Sequence, residues 1–312
     1  MSRRALTRSS FTILWMCAHP LELFAARDML QEPSNAVPLP ADDPNEYILG
    51  SIGRHHIVVT LVDPHNIDRD AEAVAKQAKQ TFRHLRFCLV VGIGSGFPSP
   101  ERDLHLGDVV VGFATVKHWD HGIIYSNSFD HETAGKRVEA PQPLVSAIDK
   151  LQRRYDDHRY GNGIALMVEA LAAGPRTMLA DGLQTALHVL SKDACGYRGA
   201  LVRRSHCDPR RASLDLSYRR EASVAVHYGL VASGSTAIRG PRARNAIRHL
   251  LGDILCVDTH AAGVMNVLPC LVIRGVCDYA DGEQNDWWQE YAAATAAIYA
   301  QQLLGTLDPN SW

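Results

Sequence analysis

The sequence predicts an α/β protein in which strands and helices alternate around a buried sheet containing parallel strands. Two apolar runs, Phe87 to Val91 and the stretch from Leu271 into Arg274-Gly275, have the length and composition of buried strands. At both ends of the chain a strand pattern is followed by a helical one. Phe11 to Cys17 leads to a helix from Pro20, and the Leu271 strand leads to a helix over Asp286 to Leu304.

Composition bounds the function before any motif is read. With 312 residues the chain can bury a large core, and a formal net charge of -2 leaves no basic excess for a dedicated nucleic-acid binder. Seven cysteines without regular spacing form neither a disulfide nor a zinc framework, so a reducing compartment is expected. No apolar run reaches the roughly 18 residues that a membrane helix needs. Arg3, Arg4 and Arg8 ahead of Phe11 to Ala18 resemble the front of a secretory signal, but a buried first strand gives the same pattern and is the reading taken here.

Phe11 to Cys17 therefore reads as the first strand. Pro20 stands where a first helical turn tolerates it, and Leu21, Glu22, Ala25, Ala26, Met29 and Leu30 continue the helix. Glu32 to Pro44 is rich in Pro and Asp and reads as an exposed connection. Glu46 to Ile52 and His56 to Leu61 form a hairpin around Gly53-Arg54. Asp68 is the expected cap of a helix that turns Ala71, Val74, Ala75 and Ala78 to one side. The strand Phe87 to Val91 then opens into a glycine loop, Gly92-Ile93-Gly94-Ser95-Gly96. It is no dinucleotide fingerprint, because Pro98, Ser99 and Pro100 stand where a helix should begin. A strand over Leu106 to Val111 follows.

From about 119 to 222 the pattern weakens. Pro143 to Tyr155 and Leu183 to Leu190 read as helices. The seven arginines between Arg198 and Arg220 read as a solvated loop, since no aromatics interleave them. His206 and Cys207 lack partners at metal-ligand spacing, so no metal site is expected. Order returns with a strand over Val224 to Ala232, a helix over Pro241 to Leu251 and a strand over Ile254 to Val257. The last strand, from Leu271, delivers Asp278 at its carboxyl end, where open α/β sheets place ligands. An aspartate beside apolar walls there can act as a proton donor, or it can simply cap the next helix.

Five segments in this order resemble the nucleoside phosphorylase superfamily: Cys17-Ala18-His19-Pro20-Leu21-Glu22, Val91 to Gly96, Leu106 to Val110, His227 to Gly234, and Val272 to Asp281. The nearest branch is the methylthioadenosine/S-adenosylhomocysteine nucleosidase-like domain of fungal proteins, which often precedes nucleotide-binding or repeat modules. Trp288 to Leu304 is similar to the end of that domain. The resemblance covers about residues 11–117 and 224–304.

It implies a three-layer α/β/α phosphorylase/hydrolase-like fold with a central mixed, partly barrel-like sheet. A single domain would span 11–305, with a divergent insert at about 119–222 and tails at 1–10 and 306–312. It also implies cleavage of the N-glycosidic bond of a purine nucleoside in the cytoplasm, without a cofactor. The partner is then a small nucleoside, with phosphate in the phosphorolytic alternative, and relatives are often dimers or larger. Asp278 matches the family's acid, which protonates the leaving base. Glu22 matches the carboxylate that activates water below the sugar. Gly92, Gly94, Ser95, Gly96, Ser233 and Gly234 would line the sugar and base.

Two departures qualify the transfer. The family's Glu-Met-Glu, whose last glutamate grips the ribose hydroxyls, is replaced by Asp258-Thr259-His260. A neutral imidazole accepts one hydroxyl hydrogen bond where a carboxylate takes two, and His260 could equally be structural. The other departure is the central region, where a Cys-x-x-Cys of the family is reduced to Cys207. Phosphorolytic relatives hold phosphate with an arginine just before the glycine loop. Here Val90-Val91 stands there, and neither Arg27 nor Arg102 matches by motif, which favours hydrolysis. A nucleoside-binding regulatory domain without turnover is the alternative of a different class.

Overall fold

The computed structural model describes residues 6–31, 37–62, 70–99, 102–117, 137–156, 163–192, 224–234, 238, 240–280 and 286–311. Nine strands among them form one mixed sheet: β1 (Ile13–Cys17), β2 (Tyr47–Ile52), β3 (His55–Leu61), β4 (Phe87–Gly96), β5 (Val109–Lys117), β6 (Arg137–Glu139), β7 (Val226–Ser233), β8 (Ile254–Asp258) and β9 (Cys270–Asp278). The sheet runs β2-β3-β1-β4-β8-β7-β5-β6, and β9 pairs with both β4 and β5. Strands β4, β8, β7, β5 and β9 therefore close into a ring, while β1, β3 and β2 extend from it as an open wing.

The helices are α1 (Pro20–Met29), α2 (Ala71–Thr81), α3 (Gln142–Asp156), α4 (Ile164–Ala172), α5 (Met178–Lys192), α6 (Pro241–Leu251), the one-turn α7 (Ala261–Val264) and α8 (Asp286–Thr306). They cover the sheet on both faces because its strands are apolar on both. In β1 the twofold alternation sends Ile13, Trp15 and Cys17 into a core shared with α1, α3, α4, α5 and α8. Leu14 and Met16 go to the opposite core with α2 and α7. A smaller cluster under α6 joins Phe97, Ile247 and Ile254.

Most elements stand where the residue pattern puts them. The hairpin turns at Gly53, which adopts φ +58°. Helix α1 starts with Pro20 at its first turn and a reciprocal cap between His19 and Glu22. Helix α2 is capped by Asp70, whose Oδ1 accepts the Ala73 N–H at 2.8 Å. Asp68, the expected cap, lies outside the described residues.

The Gly92 to Gly96 segment is a correction: it is strand, not loop. It continues β4 without a positive φ, pairing with β9 along its length and with β8 at Ser95 and Gly96. Glycines remain in register here because neighbouring groups crowd the strand on both sides. A Cβ on Gly92 would collide with the Glu22 carboxylate, and one on Gly94 would press on Cys256 Sγ. Inside the weakly patterned region, α3 and α5 contain the two expected helices, and β6 and α4 are additional. The arginine-rich stretch, His206 and Cys207 lie outside the described residues.

Candidate active site

One buried ion cluster gathers several of the predicted residues. Glu22 sits in the first turn of α1, where its own helix start turns the carboxylate back on the chain. Its Oε2 accepts the Ala18 and His19 N–H groups at 2.6 and 3.2 Å, and Oε1 accepts the Ile93 N–H of β4 at 2.8 Å. Gly92, with no side chain, makes room for it. Arg274 projects from the middle of β9. It donates to Asp258 Oδ1, donates to the Ile93 carbonyl at 3.3 Å and stands 3.7 Å from Glu22 Oε1. Arg274 is 1% exposed, and a charge so deep requires these two carboxylates as partners.

Asp258 ends β8 and organises the other side. Its Oδ2 accepts from the Ser233 hydroxyl at 2.7 Å, the Ala261 N–H at 2.7 Å and the His260 N–H at 3.2 Å. Ser233 in turn accepts the Ala262 N–H at 2.9 Å, and the Gly234 N–H donates to the Asp258 carbonyl at 3.0 Å. Burial works to raise the Asp258 carboxyl, but Arg274, His260 and these hydrogen bonds overcome it and hold the group below the usual carboxylate range. Burial likewise pulls against the Arg274 guanidinium, and its two carboxylates more than restore it.

His260 occupies the turn after Asp258. Its Nδ1 lies 2.8 Å from Thr259 Oγ1. Burial lowers the imidazole below its ordinary value, opposed by Asp258 and Glu22 and helped by Arg274, so the ring is neutral near pH 7.

Asp278 ends β9 opposite Ser95. The register steps here from Gly94 opposite Val276 to Ser95 opposite Asp278, so Cys277 is an extra residue in β9. Such a bulge re-aims the side chain that follows it. Asp278 Oδ1 accepts the Ala280 N–H at 2.8 Å, and the Cys277 thiol donates to Oδ2 at 3.5 Å. Burial keeps that thiol protonated by raising it well above its ordinary value, so it retains a hydrogen to donate, either to Asp278 or to the Gly94 carbonyl at 3.6 Å. Ala280 adopts φ +53°, a left-handed conformation, and Gly240 N–H and Arg244 hold the turn through the Ala280 and Tyr279 carbonyls.

The predicted residues thus fall into two groups. Glu22, Ser233, Gly234, Asp258 and His260 belong to one network of hydrogen bonds and ion pairs around Arg274, with Gly92 making room for Glu22 and Thr259 attached through His260. Asp278 and Ser95 stand beside it at the end of β9 and β4, near enough for Asp278, Asp258 and Arg274 all to act on the Cys256 thiol. Gly94 faces Cys256, and Gly96 faces Val276 and Leu104. Arg27 and Arg102 lie apart, paired with Asp28 at 3.7 Å and Asp253 at 3.1 Å. Arg274 is the member of the cluster for which sequence reasoning named no role. Its signal was an arginine in the middle of an otherwise apolar strand, where no charge survives without a partner.

No protein-family model matches the chain. In sequence it is 33% identical over 315 residues to a nucleotide-binding leucine-rich repeat (NLR)-like protein of Hyaloscypha variabilis, and this alignment takes 99% of the chain. The chain spans 30% of the length of that curated relative. Among solved structures it superposes on the 5′-methylthioadenosine/S-adenosylhomocysteine nucleosidase of Neisseria meningitidis bound to methylthio-immucillin-A, with TM-score 0.61 and 15% identity over 95% of this chain and 99% of that one. The same enzyme from S. pneumoniae gives TM-score 0.61 and 16% identity over 96% and 100%. Futalosine hydrolase of Helicobacter pylori gives 0.56 and 14% over 95% and 98%. The chain therefore has the fold seen in the 5′-methylthioadenosine/S-adenosylhomocysteine nucleosidases.

Proposed function

We propose that this chain cleaves the N-glycosidic bond of a purine nucleoside of the methylthioadenosine or adenosine type, by hydrolysis. The observation that supports this most is the junction of α1, β4, β8 and β9. There Glu22, Asp258 and Arg274 form one buried cluster, and Asp278 stands free of it on a bulge that re-aims it. Asp278 protonates the departing base, so that the base leaves as a neutral molecule. Glu22, fixed from three sides by backbone N–H groups, supplies the negative field for the sugar as it becomes oxocarbenium-like. Asp258 keeps Arg274 in place and orders the turn that holds Thr259 and His260, which contact the sugar.

Charge favours water over phosphate as the nucleophile. Arg274 is the arginine of the described cluster, and its guanidinium is already shared between two carboxylates. A phosphate dianion would have to displace one of them and would meet the field of both. Arg27 and Arg102, the other candidates, pair elsewhere.

The test is to incubate the purified chain with methylthioadenosine, adenosine and adenine nucleotides, with and without phosphate, and to follow free base by chromatography. Base released without phosphate is the expected result, and release only with phosphate would replace hydrolysis by phosphorolysis. Asp278→Asn, which preserves shape but removes the donated proton, is expected to lower the rate by about 100-fold or more. Full activity in that variant would remove Asp278 from the acid role. The altered ribose grip at His260 supports a second reading, a nucleoside-binding domain without turnover; calorimetric binding with no base release would favour it.

A further inference from the structure

The acid of the proposed cleavage has two oxygens, and the chain holds them unequally. Asp278 Oδ1 accepts the Ala280 N–H at 2.8 Å, a strong bond made within its own turn. Oδ2 has the Cys277 thiol, a weaker donor, at 3.5 Å. A neutral carboxyl keeps its hydrogen on the oxygen with the weaker donor, so Oδ2 is the oxygen that delivers the proton to the base. The same thiol stands 3.6 Å from the Gly94 carbonyl of β4. Cys277 is 5% exposed and keeps its hydrogen, so a single S–H has two acceptors at nearly equal reach and little water to compete with them. Cys256, the neighbouring thiol on β8, donates instead along its own strand, to the Val257 carbonyl at 3.4 Å.

The bulge is what sets these two side chains together. In a regular strand consecutive side chains point to opposite faces, and Cys277 and Asp278 would share no bond. The two acceptors of the thiol also differ in what turnover does to them. The Gly94 carbonyl is unchanged, whereas Oδ2 begins as a carboxyl oxygen and ends as half of a carboxylate, which holds a donor about twice as strongly. We infer that Cys277 is a positioning residue for the acid, its thiol hydrogen lying on the Gly94 carbonyl while Asp278 is protonated and turning to Oδ2 as the proton leaves. This rests on the nucleosidase reading above and deepens it, by naming the side chain that answers the charge the acid acquires. The step balances. The bond from the anomeric carbon to the base breaks with its electron pair going to the base, and the base takes the proton of Oδ2. Water bonds through its oxygen to the anomeric carbon, and its proton passes to Glu22, which carries three N–H donors on about four acceptor positions. No bond to sulfur forms or breaks, and proton exchange with solvent returns both carboxyl groups to their starting forms.

The sign of the effect on the pH profile follows. The base leaves only while Asp278 carries its proton, so the rate has an alkaline limb. A donor to the carboxylate favours its ionised form and draws that limb to lower pH. The titratable and charged groups around the pair are Glu22 from α1, Cys256 and Asp258 from β8, Arg274 from β9 itself and Arg244 from α6, which donates to the Tyr279 carbonyl. A substitution at 277 retains all of them, so movement of the limb in such a variant belongs to the thiol.

The experiment measures kcat and KM for methylthioadenosine from neutral to alkaline pH in the wild-type chain, Cys277→Ala and Cys277→Ser. Cys277→Ala removes the donor, and the inference expects kcat lower by about 3- to 10-fold, KM held, and the alkaline limb moved up by about half to one pH unit. Cys277→Ser supplies a stronger donor, so the limb moves down and kcat is kept. Movement in opposite directions is the signature. Limbs that stay in place or move together overturn the inference, even if both variants melt at lower temperature. A second measurement serves if these variants fail to fold: the infrared S–H stretching band of the wild-type chain shifts to lower frequency as Asp278 ionises, and it does not shift in Asp278→Asn. The same band behaviour in both chains overturns the inference. A wild-type chain that releases no base fails differently, because the nucleosidase reading falls and the service of Cys277 to it falls too. Base release with an unmoving S–H band removes the thiol's part alone.

Discussion

Arg274 shows how one side chain can decide whether a site exists. Its guanidinium ties Asp258 of β8 to β9 and stands against Glu22 of α1, and it does so at 1% exposure. Removing one partner of such a buried set leaves uncompensated charge, which costs far more than the set contributes when intact. Arg274→Met is expected to destabilise the chain by about 3–5 kcal/mol, read as a lower denaturant midpoint. Loss of less than about 1 kcal/mol would mean that the two carboxylates simply take up protons or water, and that the cluster is not the organising feature described above. Lysine would not substitute, because a point charge cannot reach Asp258, Glu22 and the Ile93 carbonyl in the planar fork that Arg274 uses. Sequence reading could place Glu22 and Asp278 because their neighbours form motifs. It could not assign Arg274, whose meaning lies in partners 16 and more than 200 positions away. It could not find the bulge at Cys277 either, since an extra residue is visible only against the register of β4.

At the scale of elements, β9 meets α8 in one of the tightest contacts among the described residues. Gly275 lies under the first half of α8, and a Cβ there would run into the backbone carbonyl of Ala292. The alanines at 292, 293, 294, 296, 297 and 300, all buried, let the helix come this close. Gly275→Ala is expected to destabilise by at least the roughly 1–3 kcal/mol typical of an overpacked core, because the obstacle is backbone, which has no alternative rotamer. Thermal unfolding of the variant checks this, and an unchanged midpoint would mean that α8 slides freely. Many elements were legible beforehand, most clearly those with a clean period or a strong boundary residue, such as β1, the β2–β3 hairpin, α2, α6, β9 and α8. Helix α4 escaped because it is apolar on nearly every side, with Leu166 71% exposed, so no polar face gave it a period. The continuation of β4 through Gly92, Gly94 and Gly96 was misread as a loop. Glycines signal turns in isolation, and only the crowding from Glu22, Cys256 and Val276 shows that here they signal proximity.

The whole molecule is tied together at its far end by His55. This residue opens β3, is 6% exposed, and its Nε2 lies 3.1 Å from the Leu307 carbonyl just beyond α8. It thereby links the hairpin wing to the helix that covers the ring. Burial lowers its ionisation below the ordinary histidine value, with Arg54 acting in the same direction and the Leu307 and Leu304 carbonyls and Asp308 opposing. The sign follows from linkage. The unfolded chain binds the proton more readily than the folded one, so stability is full above about pH 6.5 and declines as pH falls through the lower folded value. Melting temperatures at neutral and mildly acidic pH should therefore differ more in the wild-type chain than in His55→Gln, and equal differences would assign the acid sensitivity to other groups.

Strand β9 is hydrogen-bonded on both sides, in parallel to β4 and in antiparallel to β5, and it is the stave that closes the ring. The margins of the sheet lie elsewhere, at β2 and β6, and can fray without disturbing the ion cluster. Arg274 and Asp278 have no such freedom, because neither can leave its station unless the hoop itself is cut. The ion cluster and the closed sheet in this chain consequently share a single breaking point.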